Sequence, residues 1–342
     1  MALVSSLGFG TYLGECDDAE DARYTRAGAA ALERGVNLID TAINYRCQRS
    51  ERAVGDAIRV AIASGTVTRE EIVVCTKAGY IPLEKTPPAT REDYRGFLDS
   101  EYFARGVMSA ADVVAGGHCL TPRYLDDQID RSRNNLGLET IDVYYLHNPE
   151  QQLDEVDRPT LLTRLRHAFT ALEGAVADGK IQYYGAATWN GFRVNPDEPG
   201  YLSLAELVGL AREVGGSYHH HFRAIQLPYN LAMPEAFTRA NQKLDTGFFS
   251  TLEAARQLGV YVMASASVLQ GKLTQGLPAE FADLVPGLAT DAQRAIQFVR
   301  STPGIGTALV GMKTAAHVGD NVAVAAVPPL GGEQVKRLFS EG

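Results

Sequence analysis

The chain of 342 residues carries 41 Asp and Glu against 32 Lys and Arg, a formal charge of −9, with 45% hydrophobic and 21% charged residues. These proportions suit a globular protein of one large domain or two smaller ones. The acidity (sequence pI near 5.3) excludes nucleic acid or an anionic membrane as the main partner, because phosphate binding needs a basic surface, but it leaves room for a small ligand.

The opening Met1-Ala-Leu-Val-Ser-Ser6 has no basic stretch leading into a long apolar run, so no signal peptide is expected. No segment approaches the roughly 20 consecutive apolar residues of a membrane span. Cys16, Cys47, Cys75 and Cys119 form no CxxC pair, which predicts free thiols in a reducing cytoplasm.

In chain order, a short apolar run at residues 7–11 is followed by an alanine-rich helical pattern at 19–34, closed by Gly35, and by a second run at 37–41. A third run at 72–77 is separated from its helix by residues 78–120, too long for an ordinary connection. Tyr80, Tyr94, Phe97, Tyr102 and Phe103 give this insertion enough aromatic surface to be ordered, and it reads as a lid. The helix at 122–136 has Thr121 as N-cap, proline at its first position and Gly137 as its stop. Strand 141–147, helix 161–178, strand 181–187, an irregular stretch 190–201, strand 224–228, helix 250–258 and strands 260–265 and 307–311 complete the chain. Eight near-continuous apolar runs alternating with helices predict a parallel sheet covered on its outside. Over residues 1–342 this rhythm favours a single (β/α)8 barrel. The structural rival, a doubly wound open sheet, lacks a GxGxxG after the first strand.

Asp40, Lys77, His147 and Gln226 each stand at or just beyond the C-terminal end of a different predicted strand. In such a barrel those ends converge on one mouth, where active sites are built. Tyr45 follows Asp40 by five residues and belongs to the same rim. Singly, each has a plainer reading: Asp40 as a cap, or Lys77 with Asp40 as a structural ion pair.

The segment Gly35-Val-Asn-Leu-Ile-Asp40-Thr-Ala-Ile-Asn-Tyr45, with Ser50-Glu51 and Val54-Gly55, resembles the signature of the aldo-keto reductase superfamily. Val73-Val-Cys-Thr-Lys77 and Ile141-Asp-Val-Tyr-Tyr-Leu-His147 are similar to its lysine- and histidine-bearing strands. Residues 181–189, Ile225-Gln226 and 310–321 extend the likeness in order, closer to the potassium-channel β-subunit-like and bacterial branch. The resemblance implies an oxidoreductase that reduces an aldehyde, ketone or sugar carbonyl, or oxidises the alcohol, with NADP(H) or alternatively NAD(H). Tyr45 is then the proton donor, Lys77 lowers its pKa, Asp40 keeps the lysine charged, and His147 orients the carbonyl. The implied cofactor contacts are Thr188, Gln226 (to the nicotinamide carboxamide), Ser265, Ala266, Val268, Gln270, Gly271, Gly311, Lys313, His317, Asp320 and Asn321.

Several of these depart from the family's pattern. Ala187 and Thr188 replace its serine and asparagine, Ser265 replaces an aromatic that stacks on the nicotinamide, and Gly311 and His317 replace the lysine and arginine at the adenosine phosphate. Lys313 is then the residue expected to supply charge there. The first strand begins so early that the hairpin plugging the barrel bottom is short or absent, and a helix or a partner is expected to cover that end. Two other readings stay open: a cofactor-binding regulatory subunit with slow turnover, and a non-redox acid–base enzyme such as a dehydratase or isomerase.

Smaller signals remain. Tyr218-His219-His220-His221 precedes a strand, at the end away from the mouth, and adjacent histidines point apart, so no metal site is expected. Cys47, His118 and Cys119 would meet near the substrate if the lid folds over the mouth, the plainer reading being buried thiols and a hydrogen-bonded histidine. Arg46 and Arg49 would bind an anionic substrate or pair with Glu51, and Asn148 and Glu150 would set polarity at the rim.

Overall fold

The computed structural model describes residues 3–216 and 219–339; Met1, Ala2 and Tyr218 of the segments singled out above lie outside them. Eight parallel strands close a barrel in chain order: β1 (Leu7–Gly10), β2 (Leu38–Asp40), β3 (Val73–Ala78), β4 (Ile141–His147), β5 (Ile181–Ala187), β6 (Phe222–Pro228), β7 (Tyr261–Ser265) and β8 (Thr307–Gly311), which pairs back to β1. The expected (β/α)8 architecture is borne out.

Each strand is followed by a helix on the outside: α1 (Asp18–Glu33), α2 (Arg49–Ala63), then α3 (Arg91–Leu98) inside the insertion, α4 (Pro122–Leu136), α5 (Arg158–Ala177), α6 (Leu204–Gly215), α7 (Thr251–Leu258), α8 (Asp291–Ser301) and α9 (Ala315–Val322). Local chemistry sets their ends. The Asp17 carboxylate accepts the Glu20 N–H at 2.7 Å to start α1, and left-handed Gly137 closes α4. α5 begins three residues before the expected 161 because the Asp157 side chain caps it.

Side chains alternate between the two faces of a strand. On the inner face Leu38, Cys75, Val143, Tyr145, Ala224, Met263 and Leu309 form an apolar plug. Two residues further along six of these strands, the same alternation carries Asp40, Lys77, His147, Gln226, Ser265 and Gly311 to the mouth. Outward-facing Ile39, Val74, Leu146, Ile225, Val262 and Val310 join the larger core under the helices.

The insertion at 78–120 leaves β3 and returns beside itself: the Ile81 N–H donates to the Gly117 carbonyl and the Cys119 N–H to Gly79, both at 2.8 Å. Fully buried Tyr102 sits at its centre, 6.1 Å ring to ring from Tyr124 of α4, with the Arg131 guanidinium over its face. Arg105 pairs with Asp127 of the same helix. The segment is thus an ordered lobe docked on α4. Residues 3–6, before β1, form no hairpin. At that end of the barrel lies a cavity of about 840 Å³ whose walls include Val4, Asp142, Tyr183 and Tyr261.

Candidate active site

Lys77 has no exposed surface, and three acceptors take up its ammonium: Asp40 (Oδ1 at 2.9 Å, Oδ2 at 2.8 Å), the Thr41 carbonyl at 2.7 Å, and the Tyr45 hydroxyl at 3.5 Å. Burial opposes the charge, but Asp40 outweighs it and holds the lysine above its ordinary value, so it stays an ammonium. For Tyr45 the balance runs differently from the expectation: burial raises the phenol and Asp40 adds to it, while Lys77 only partly offsets them. The net direction is upward, so the phenol keeps its proton until negative charge appears beside it. Burial and Lys77 push His147 well below its ordinary value, leaving a neutral imidazole 5.8 Å from the Tyr45 ring. Its Nδ1 is buried with no partner among the described residues. Tyr45 and His147 therefore offer one O–H and one N–H to the same small volume.

His147 is set in place from behind. The His118 Nε2–H donates to the His147 carbonyl at 2.8 Å, and Gln152 donates to His118 Nδ1 at 2.7 Å, which fixes a neutral tautomer. Gly79 makes room, since a Cβ there would lie 2.5 Å from the His147 oxygen and 2.7 Å from His118 Nε2. His118 therefore does not reach the substrate with the thiols. Cys47 lies 3.4 Å from Cys16 and Cys119 beside Thr121, so the three do not converge. At the rim Asn148 donates to the Tyr80 hydroxyl at 2.9 Å, and Glu150 accepts the N–H groups of Trp189, Asn190 and Gly191. Arg46 and Arg49 pair with Asp21 and Asp18 rather than with Glu51, which is buried and accepts from Thr76 and Asn135.

One cavity of about 850 Å³ runs from this group across β7 and β8, within the range of small-molecule and cofactor sites. Asp40, Tyr45, His147 and all twelve of the expected cofactor contacts line it, with Lys77 behind the wall. Two details fit an elongated polar ligand. Thr188 lines the cavity, and its Oγ1 is buried without a partner among the described residues. Ala266, Leu269 and Gln270 hold left-handed backbone that non-glycine residues seldom adopt, a strain that persists at ligand clamps. Two of the lining residues already have protein partners: Gln226 donates to Asp40 Oδ1 at 2.7 Å, and the Lys313 ammonium lies 2.7 Å from the Glu20 carboxylate.

Sequence reasoning missed Tyr12, Leu13, Asn44, Tyr80 and Glu20. The first four line the cavity just past the ends of β1, β2 and β3, so the strand-end rule that found Asp40 was the signal for them. Tyr12 and Trp189 are 56% and 44% exposed at the opening. Tyr80 is the residue through which the insertion lines the cavity. Of the histidine run, His221 pairs with Glu173 and His220 contacts Arg223; among the described residues no group of three metal-ligating side chains comes together. No helix of the described residues is long and apolar enough to cross a membrane.

The family model described as Aldo/keto reductase family matches residues 6–195. The D-threo-aldose 1-dehydrogenase of Pseudomonas sp is 31% identical over 46% of this chain and 41% of its own length. The NADH-specific methylglyoxal reductase of Escherichia coli (strain K12) is 27% identical over 51% of this chain and 42% of its own. The chain thus spans less than half the length of these relatives. Among solved structures, an aldo/keto reductase from Klebsiella pneumoniae in complex with NADP and acetate superposes with a TM-score of 0.64 at 21% identity, covering 98% of this chain and 91% of that one. The holo form of a Bacillus halodurans aldo-keto reductase gives 0.65 at 19%, covering 98% and 92%.

Proposed function

The chain belongs to the aldo/keto reductase family, and from that premise we propose that it reduces an uncharged aldehyde or ketone, sugar carbonyls included, using a nicotinamide dinucleotide. When bound, the nicotinamide supplies the hydride that adds to the carbonyl carbon. Tyr45 protonates the oxygen as it becomes an alkoxide, and the Lys77 ammonium stabilises the phenolate left behind. Asp40 keeps the lysine charged, and His147, neutral and with a single N–H, gives the oxygen its second hydrogen bond. The observation that carries the reading is the shared ammonium: Lys77 bonds both Asp40 oxygens and the Tyr45 hydroxyl at once.

Two observations support an uncharged substrate. Tyr12, Leu13, Tyr80 and Trp189 give the outer cavity an aromatic and apolar rim. The arginines near it, Arg46 and Arg49, are neutralised by Asp21 and Asp18. A relative named for methylglyoxal reduction and another for aldose oxidation point to the same class.

The test is nicotinamide oxidation against a panel of aldehydes, ketones and aldoses. Tyr45→Phe is expected to lower kcat by roughly 10³-fold while the affinity for the dinucleotide changes little. Full turnover in that variant removes Tyr45 from the role. Failure of the wild type to bind either dinucleotide in calorimetry removes hydride transfer and leaves an acid–base enzyme.

A further inference from the structure

We infer that the cavity selects NAD(H) over NADP(H), and that Glu20 enforces the choice. This rests on the nicotinamide reading above and sharpens it. The two dinucleotides share a diphosphate and differ in one ribose phosphate, which brings roughly two more negative charges. Selection between them turns on the charge the cavity presents, whatever the pose.

That charge is scarce. Among the residues that line the cavity, Lys313 is the single lysine or arginine, while Asp40 and Asp320 also line it. Lys313 is already paired: Glu20 Oε1 lies 2.7 Å from its ammonium. Glu20 is not free to leave. Its side chain is 3% exposed, its other oxygen accepts from Arg23 at 2.8 Å, and its backbone is locked in the first turn of α1 by Asp17. The chain folds closely over it at Gly14, where a Cβ would fall 2.3 Å from Glu20 Oε1. Burial pushes the carboxyl up, but Lys313 and Arg23 outweigh it and keep the group below the usual carboxylate range, and therefore charged.

A phosphate drawing Lys313 away would leave a buried carboxylate with one partner fewer, and breaking such a pair is costly. A phosphate leaving Lys313 in place would meet a neutralised cation, in a cavity whose other charged lining residues, Asp40 and Asp320, are carboxylates. A ribose hydroxyl pays neither penalty, and it donates to carboxylates where a phosphate is repelled by them. At Gly311 nothing lies within 4 Å of where a Cβ would stand, and no side chain there supplies a replacement charge.

The experiment is an equilibrium titration of the full chain with NADH and with NADPH, followed by quenching of Trp189, the protein's single tryptophan, which lines the cavity. NADH is expected to bind at least about tenfold tighter, and added salt to narrow the gap by screening the repulsion. Glu20→Gln, checked for native circular dichroism, is expected to bring the ratio close to one, mainly by tightening NADPH. NADPH binding as tightly as NADH to the wild type overturns the inference, a result that needs no variant. An unchanged ratio in folded Glu20→Gln removes Glu20 from the role. Failure of both dinucleotides to bind defeats the nicotinamide reading and this inference together, and is distinct from a reversed preference.

Discussion

Lys77 and Lys313 each meet a carboxylate at the edge of one cavity, at 2.8 and 2.7 Å, but their surroundings differ. Lys77 is fully buried, and its donors beyond Asp40 go to a backbone carbonyl and to the phenol of Tyr45. Lys313 is 36% exposed, and its carboxylate is shared with Arg23 on the far side. The contact distance is therefore silent about the role. In the first pair the carboxylate keeps a charge alive where water cannot, and that charge also reaches the Tyr45 hydroxyl, the proton donor of the proposed reaction. In the second the carboxylate neutralises the single lysine or arginine that lines the cavity, which the proposed selectivity turns on.

The sharpest way to break the comparison is to remove one member of each pair and read stability and activity separately. Lys77→Met leaves Asp40 buried with the Gln226 amide but no cation, so unfolding by urea is expected to show a loss of roughly 3–5 kcal/mol. Activity falls with it, because the phenolate loses its ammonium. The double variant Lys77→Met, Asp40→Leu removes both charges together and is expected to recover most of the stability and none of the activity. Recovery of turnover in the double variant would make the pair structural rather than part of the chemistry.

The next effect is smaller and depends on pH. Burial pushes His118 down to about 4, below the ordinary imidazole value near 6.5, so the folded state resists its protonation. As pH falls, the unfolded chain takes up the proton first. Stability contributed by this site is complete above about pH 6.5, is lost between about 6.5 and 4, and changes no further below that. The integrated loss is roughly 3 kcal/mol. His118→Gln is expected to flatten the acid limb of the urea midpoint by about that amount relative to wild type. Since His118 positions the His147 carbonyl, the same variant is expected to lower kcat more than it raises KM. An acid limb identical to wild type would mean that His118 titrates normally in the fold.

The barrel was legible because its strand signal is local. β4, β5 and β8 end where the near-continuous apolar runs end, and the ends of the runs then place Asp40, Lys77, His147 and Gln226 without knowledge of the fold's details. α2 was not foreseen: its N-cap, Gln48, is left-handed and makes no side-chain cap bond, and Arg46 and Cys47 before it also have positive φ, so no start signal is written there. The hairpin Ala240–Leu244 with Gly247–Ser250 was missed as well, being too short to show a period. Glu20 and His118 were invisible for another reason. Glu20 reads as one of three acids suited to the start of a helix, and only the return of the chain after β8 brings Lys313 to it. His118 ends an insertion whose path, not its composition, carries it behind His147.

The smallest expected effect is the stability cost of Glu20→Gln, and it sharpens the comparison most. Lys313 is more than a third exposed, so water can solvate its ammonium once the carboxylate is gone, and the amide oxygen still accepts from Arg23. Solvent screening then limits the loss to about 1 kcal/mol or less, several times below that of Lys77→Met. Urea midpoints of the two variants, measured side by side without dinucleotide, decide the matter. A small loss beside a changed NADPH affinity means that the Glu20–Lys313 pair works on the ligand. A loss as large as that of Lys77→Met would mean that this pair, too, is held for the fold, and that any selectivity is a by-product of how α1 packs against the strand end before α9.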